Sequence, residues 1–144
     1  MLDGAFQLPD GHWVRGRGLR NPEPGGEKPD YALYLGNGRL REYRPTWEHA
    51  WVDWPDFLVP RDFTTAVALI RDLDERSRAG ASVEVACGGG IGRTGTTVAC
   101  LAVLGGIPAT EAVAWTRERL HPRAVEMPWQ HRWIRRFAKH TGNA

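Results

Sequence analysis

The sequence predicts an α/β domain: a mostly parallel, twisted central sheet flanked by helices, with a glycine-rich loop joining one strand to a central helix. Three observations carry this expectation. From Asp62 onward, helical and strand-like periods alternate, the order that lays helices on a sheet. The segment "SVEVACGGGIGRTG" runs from a short strand pattern through a glycine loop into an apolar helix pattern. The 144-residue chain, 42% hydrophobic and 25% charged, has the size and composition of one domain.

Taken in order, "HWVRGRGL" reads as a short strand. "RNPEPGGEKPD", Arg20 to Asp30, is the segment richest in proline and glycine and reads as a surface loop. "YALYLG" and "HAWVDW" carry the aromatic and β-branched content of strands, punctuated by "GNG" and Pro45. Phe63, Ala66, Val67, Ile70 and Leu73 then fall at helical spacing, with Asp62 as N-cap and Gly80 as stop. "SVEVA" is the next strand, and Thr94 to Leu104 is apolar on nearly every face, as a buried helix is. Thr110 is placed to cap a further helix through Leu120, and Pro128 to open the last one. There Trp129, Trp133 and Phe137 form an apolar stripe, while Arg132, Arg135, Arg136 and Lys139 form a solvated face.

No repeat, low-complexity segment or long linker divides the chain, so residues 1–144 read as one domain. A formal charge of +2, with arginines scattered instead of blocked, points to no nucleic-acid partner. The start, "MLDGAFQLPDGHW", lacks the pattern of a secretory signal, and the longest apolar stretch, Val98 to Leu104, predicts no membrane span. Two cysteines, Cys87 and Cys100, suit neither a disulfide framework nor a zinc site. The chain is expected to be intracellular and cytoplasmic, with no metal or organic cofactor. Cys100 lies mid-helix in an apolar run and reads as a core residue.

The chemistry is expected in the glycine loop. Successive backbone N–H groups converge on an anion only in conformations that side chains disfavour, which accounts for Gly88, Gly89, Gly90 and Gly92 around Ile91. The following helix adds the positive end of its dipole. Arg93 adds a planar fork suited to two oxygens of a phosphate. The same surroundings favour a thiolate, so Cys87 is the candidate nucleophile.

These residues carry a family resemblance. "CGGGIGRTG", Cys87 to Gly95, resembles the C-x5-R-[S/T] signature of the cysteine-dependent protein tyrosine phosphatases, and "GIGRTG" is similar to the tyrosine-specific members. "WPDFLVP", Trp54 to Pro60, is similar to their mobile general-acid loop, and "MPWQHRW", Met127 to Trp133, to their glutamine segment. The resemblance implies a catalytic core over roughly residues 45–140 and leaves residues 1–44 as an N-terminal strand and loop region that suits a wall over the site.

By that resemblance Asp56 is the general acid, with Asp53 in reserve; Thr94 stabilises the departing thiolate; Gln130 orients the hydrolytic water; and Trp54 anchors the moving loop. Gly88 to Arg93 would hold the phosphate. The family usually sets a histidine before its cysteine, where this chain has Ala86. The resemblance implies hydrolysis of a phosphate monoester through a cysteinyl phosphate, with a phosphorylated protein or peptide, phosphotyrosine favoured, as substrate. Ile91 and the lack of lysine between Cys87 and Arg93 support tyrosine over a phosphoinositide. A phosphoinositide phosphatase and a phosphate-binding pseudophosphatase stay open as alternatives.

Overall fold

The computed structural model describes residues 1–142. Its strands are β1 (Phe6–Gln7), β2 (Trp13–Gly18), β3 (Tyr31–Gly36), β4 (Glu48–Asp53) and β5 (Val83–Cys87). They form one sheet in the order β1-β2-β5-β3-β4. Only the β1–β2 pair is antiparallel; β2–β5, β5–β3 and β3–β4 are parallel, as the sequence predicts. The central strand β5 is buried at all five positions, the pattern of a parallel strand covered on both faces.

Period-two alternation divides the strand side chains between the two faces. Leu33, Leu35, Val83 and Val85 join one apolar cluster with Ile70, Leu73, Leu101, Ile134 and Phe137 from the helices. Those helices are α1 (Phe63–Arg78), α2 (Gly92–Leu104), α3 (Ala109–Arg119) and α4 (Pro128–His140). The central helix α2 contacts the other three. All but one of its residues, Leu104, are buried, which matches its apolar sequence. Cys100 is wholly buried there, and burial pushes its thiol well up, leaving it inert.

The other sheet face is covered by connections. Ala32, Tyr34 and Ala86 pack under Leu19, Tyr43, Trp47 and Trp51, next to a 3-10 turn at Gly38–Glu42. Glu84 is fully buried on this face. It accepts from Arg15 Nε at 2.8 Å, Arg17 Nε at 2.7 Å and Tyr34 Oη at 2.8 Å, and so locks β2, β3 and β5 together. Burial and then the Glu84 carboxylate push the Tyr34 phenol well up, which keeps it a proton donor.

Local signals fix most boundaries. Asp62 caps α1 by accepting from the Thr65 N–H at 3.1 Å, and Gly80 follows the helix at φ +103°, the left-handed conformation of a glycine stop. Pro128 is the first residue of α4. The expected Thr110 cap is corrected: α3 begins at Ala109 with Pro108 at the N-cap, because the fixed φ of proline already suits a helix entry. Strand β1 has no counterpart in the sequence reading; two residues are too short for a periodic signal. No helix among the described residues is long and apolar enough to cross a membrane.

Candidate active site

The site lies at the carboxyl end of β5, where the strand ends on Cys87 and α2 begins at Gly92. This is the edge at which parallel α/β sheets bind ligands. The loop between them is held from one side by β2. Gly18 pairs with Cys87, and the chain beyond β2 continues the contact, with Leu19 N–H donating to Cys87 O at 2.7 Å and Arg20 N–H to Gly88 O at 3.1 Å. Gly90 stands at φ +76°, and a Cβ there would lie 2.6 Å from the Gly18 nitrogen. Both conformation and space therefore require glycine at position 90.

Cys87 is 2% exposed, and its sulfur receives two hydrogen bonds, one from Gly90 N–H at 3.2 Å and one from Thr94 Oγ1 at 3.0 Å. Both neighbours point donors at Sγ, the polarity that a sulfur anion requires. Ala86, where the resembling family places a histidine, is fully buried on the opposite sheet face beside Tyr34. The sulfur is thus served by the loop backbone and Thr94.

Arg93, in the first turn of α2, is 3% exposed. Its Nη1 donates to Trp54 O at 3.0 Å, and its Nη2 lies 3.3 Å from Asp56 Oδ1. Its Nε is buried with no hydrogen-bond partner among the described residues. An unpaired buried guanidinium donor is costly unless a ligand completes it. Asp56 is therefore brought to Arg93 while Asp53 is not: Asp53 closes β4 and pairs with Arg61 at 3.2 Å.

The loop that carries Asp56 is strained and strapped. Phe57 stands at φ +64°, an uncommon conformation for a bulky side chain, and its N–H caps Asp56 Oδ1 at 3.0 Å. Three donors hold the strained segment: Trp54 Nε1 on Leu58 O at 2.7 Å, Trp129 Nε1 on Phe57 O at 2.6 Å and Gln130 Nε2 on Leu58 O at 3.1 Å. Trp54 is fully buried against Trp133, and its indole bond to Leu58 O ties the segment to the core. Val125, at φ +64°, is a second strained residue, held by Arg117 through the carbonyls of Ala124 and Val125.

Gln130 is placed differently from the expectation. It is fully buried; its Oε1 accepts from the N–H groups of Glu126 and Met127 at 3.0 and 3.1 Å, while its Nε2 holds Leu58. With both ends of the amide engaged, the side chain ties the start of α4 to the Asp56 loop. The structure thus gathers Cys87, Arg93, Thr94 and Asp56 around the glycine loop and uses Gln130 as a strap.

Trp129 was expected in the apolar stripe, yet it is 39% exposed beside Phe57 and Leu58. Its indole N–H explains the placement, since it reaches the Phe57 carbonyl. Trp129→Phe keeps an aromatic, though smaller, side chain and removes this bond, which is worth roughly 0.5–1.5 kcal/mol. The expected result is a drop in kcat of about 3- to 10-fold with little change in KM, measured by steady-state kinetics, because the strap positions Asp56 without touching the anion bowl.

Other concavities lie elsewhere. A cavity of about 560 Å3 is lined by His12, Ser77 and Val83, at the opposite end of β5 from Cys87. His12 there contacts Ser77 Oγ at 2.6 Å and Asp10 at 2.8 Å, tying the N-terminal segment to α1. Among the described residues no group of three or more His, Cys, Asp or Glu side chains is placed to hold a metal ion.

Comparison with known proteins adds the following. Residues 58–142 match the family model described as the Swiss Army Knife protein, DSP-PTPase phosphatase domain. No curated protein matches the chain. Among solved structures, Tk-PTP in its active form superposes with a TM-score of 0.75 at 22% identity, covering 96% of this chain and 99% of that one. The Trypanosoma cruzi protein tyrosine phosphatase TcPTP1 gives 0.67 at 17%, covering 95% and 70%. The human tyrosine phosphatase-like serine/threonine/tyrosine-interacting protein gives 0.67 at 14%, covering 78% of each chain. At these identities the structural likeness is one of fold.

Proposed function

The chain belongs to the DSP-PTPase phosphatase family, whose chemistry is cysteine-based phosphoester hydrolysis, and from that premise we propose that it hydrolyses phosphotyrosine in proteins or peptides through a phosphocysteine at Cys87. The observation that carries the reading is the pairing of a donor-surrounded sulfur with a buried arginine whose Nε is unfilled. The bowl formed by Gly88, Gly89, Gly90, Ile91, Gly92 and Arg93 takes the phosphoryl oxygens on backbone N–H groups and the guanidinium fork.

In the first step Cys87 Sγ attacks phosphorus, the P–S bond forms, the P–O bond to the leaving group breaks, and the Asp56 carboxyl proton passes to the leaving oxygen. In the second, Asp56, now a carboxylate, takes a proton from water. The water oxygen attacks phosphorus, and the P–S bond electrons return to sulfur, where Thr94 Oγ1 and Gly90 N–H receive the negative charge. The Asp56 contact with Arg93 Nη2 at 3.3 Å supports the reading, in which a phosphate oxygen takes that guanidinium donor and Asp56 turns to the leaving group. Catalysis is mainly positioning and charge stabilisation, as for phosphoryl transfer generally.

Two features favour a phosphotyrosine substrate. Ile91 is the loop residue similar to the tyrosine-specific members. Phe57, Leu58 and Trp129 give the acid-loop side of the site an exposed apolar rim that suits an aromatic leaving group. Phosphate release from a panel of phosphotyrosine, phosphoserine and phosphothreonine peptides and a soluble inositol phosphate tests this. The phosphotyrosine peptides are expected to lead in kcat/KM by at least about tenfold, or ~1.4 kcal/mol. Preference for the inositol phosphate would contradict the assignment, and binding of phosphopeptide without turnover would favour a pseudophosphatase.

A further inference from the structure

The first residue of the bowl, Gly88, lacks a positive φ, so its want of a side chain is not explained by backbone conformation. Space explains it. A Cβ on Gly88 would lie 2.6 Å from Arg20 Cζ and Nη1 and 2.8 Å from Nη2, so the guanidinium of Arg20 rests against the Gly88 α-carbon. This arginine comes from the loop after β2, in the N-terminal region to which the family resemblance does not extend.

Its position is fixed by main-chain bonds. Leu19 N–H donates to Cys87 O at 2.7 Å, Arg20 N–H to Gly88 O at 3.1 Å, and Asn21 N–H closes a turn onto Gly18 O at 3.1 Å. The side chain is exposed, and among the described residues its guanidinium has no acidic or hydrogen-bond partner. The two arginines of β2 are committed to Glu84: Arg15 through Nε at 2.8 Å and Arg17 through Nε at 2.7 Å. Arg20 is therefore an exposed, unpaired fork held against the first residue of the glycine loop. A planar guanidinium so placed binds carboxylate or phosphate oxygens in pairs.

We propose that Arg20 is a specificity residue that receives a second anionic group, a carboxylate or a second phosphate, carried beside the scissile phosphate of a phosphopeptide. This rests on the phosphatase reading above and extends it to substrate choice. A peptide is favoured over a polyphosphorylated inositol because Phe57, Leu58 and Trp129 leave the Asp56 side of the site apolar. A ring bearing several phosphates needs several compensating charges. The cation absent between Cys87 and Arg93 is thus supplied from the turn after β2.

The test compares kcat/KM on phosphotyrosine peptides whose adjacent residues are Asp or Glu, a second phosphorylated residue, or Ala, for the wild type, Arg20→Gln and Arg20→Lys. The wild type is expected to favour the acidic and doubly phosphorylated peptides over the alanine peptide by about 3- to 10-fold, the range of one charge-assisted pair. Arg20→Gln is expected to abolish that ratio, and Arg20→Lys to keep part of it, since the charge remains and the fork is lost. The preference should shrink with added salt. An unchanged ratio in Arg20→Gln overturns the inference, as does an equal loss on all three peptides, which would mark a brace for the bowl. Dependence on Arg20 seen with a soluble inositol bisphosphate and with none of the peptides overturns the peptide assignment. Turnover of p-nitrophenyl phosphate by the wild type in parallel separates failure of the phosphatase reading from failure of this one.

Discussion

Cys87→Ser protein is expected to lose turnover of p-nitrophenyl phosphate by about 10⁴-fold or more, the scale of nucleophile removal in enzymes that act through a covalent intermediate. The size follows from replacing sulfur by a much poorer nucleophile. Sulfur at position 87 sits under two donors, Gly90 N–H and Thr94 Oγ1, which support negative charge on it. A serine oxygen in the same place keeps its proton at neutral pH, because aliphatic hydroxyls are far weaker acids than thiols. The bowl is unaffected, since backbone N–H groups and Arg93 form it. Calorimetric titration with a phosphotyrosine peptide is expected to show binding retained while turnover vanishes. Residual turnover within tenfold of wild type would remove Cys87 from the mechanism.

The second large effect falls on Asp56. Asp56→Asn preserves shape and removes the transferable proton, so the loss should depend on how much the leaving group needs protonation. With phenyl phosphate, whose phenoxide leaves poorly, kcat is expected to fall by about 10²–10⁴-fold. With a fluorinated aryl phosphate, whose oxygen departs readily as an anion, phosphorylation of Cys87 should fall much less, as read in the burst phase. A uniform loss across leaving groups would point to a structural role at the Arg93 contact. Asp53→Asn, a change at the exposed pair with Arg61, should alter kcat by less than about threefold, as surface ion pairs contribute little.

The legibility of this chain follows the range over which its signals act. α1 was readable because its cap, apolar period and glycine stop are all local: Asp62, the Phe63 to Leu73 spacing, and Gly80. The glycine loop was readable for the same reason, since strand, loop and helix follow one another in the chain. Asp56 was singled out by resemblance to a Trp-Pro-Asp loop, and geometry adds its contact with Arg93.

What sequence reasoning missed depends on distant partners. The bonds of the Gln130 amide to Leu58, Glu126 and Met127 have no local signal, because they form only once α4 packs beside the Asp56 loop. Trp129 looked like core because it shares a four-residue stripe with Trp133 and Phe137, but the stripe runs off the core edge at the first turn. Glu84, in a strand pattern, gave no hint of the two arginines from β2 that compensate it. Arg20 stood in a loop of ordinary composition; its one sequence clue is "GRGLR", where Gly18 lets β2 approach the bowl backbone closely enough for the next turn to reach Gly88.

The proposed reaction requires phosphorus to become bonded to sulfur during turnover. Wild-type protein mixed with a phosphotyrosine peptide, quenched in acid within milliseconds and mapped by peptide mass spectrometry, reports this directly. The expected result is a phosphate on the peptide containing Cys87, absent from Cys87→Ser and accumulating when Asp56 is replaced by asparagine and the aryl leaving group is activated. Steady turnover with no phosphate on Cys87 at any quench time, or with the label on another side chain, would contradict it.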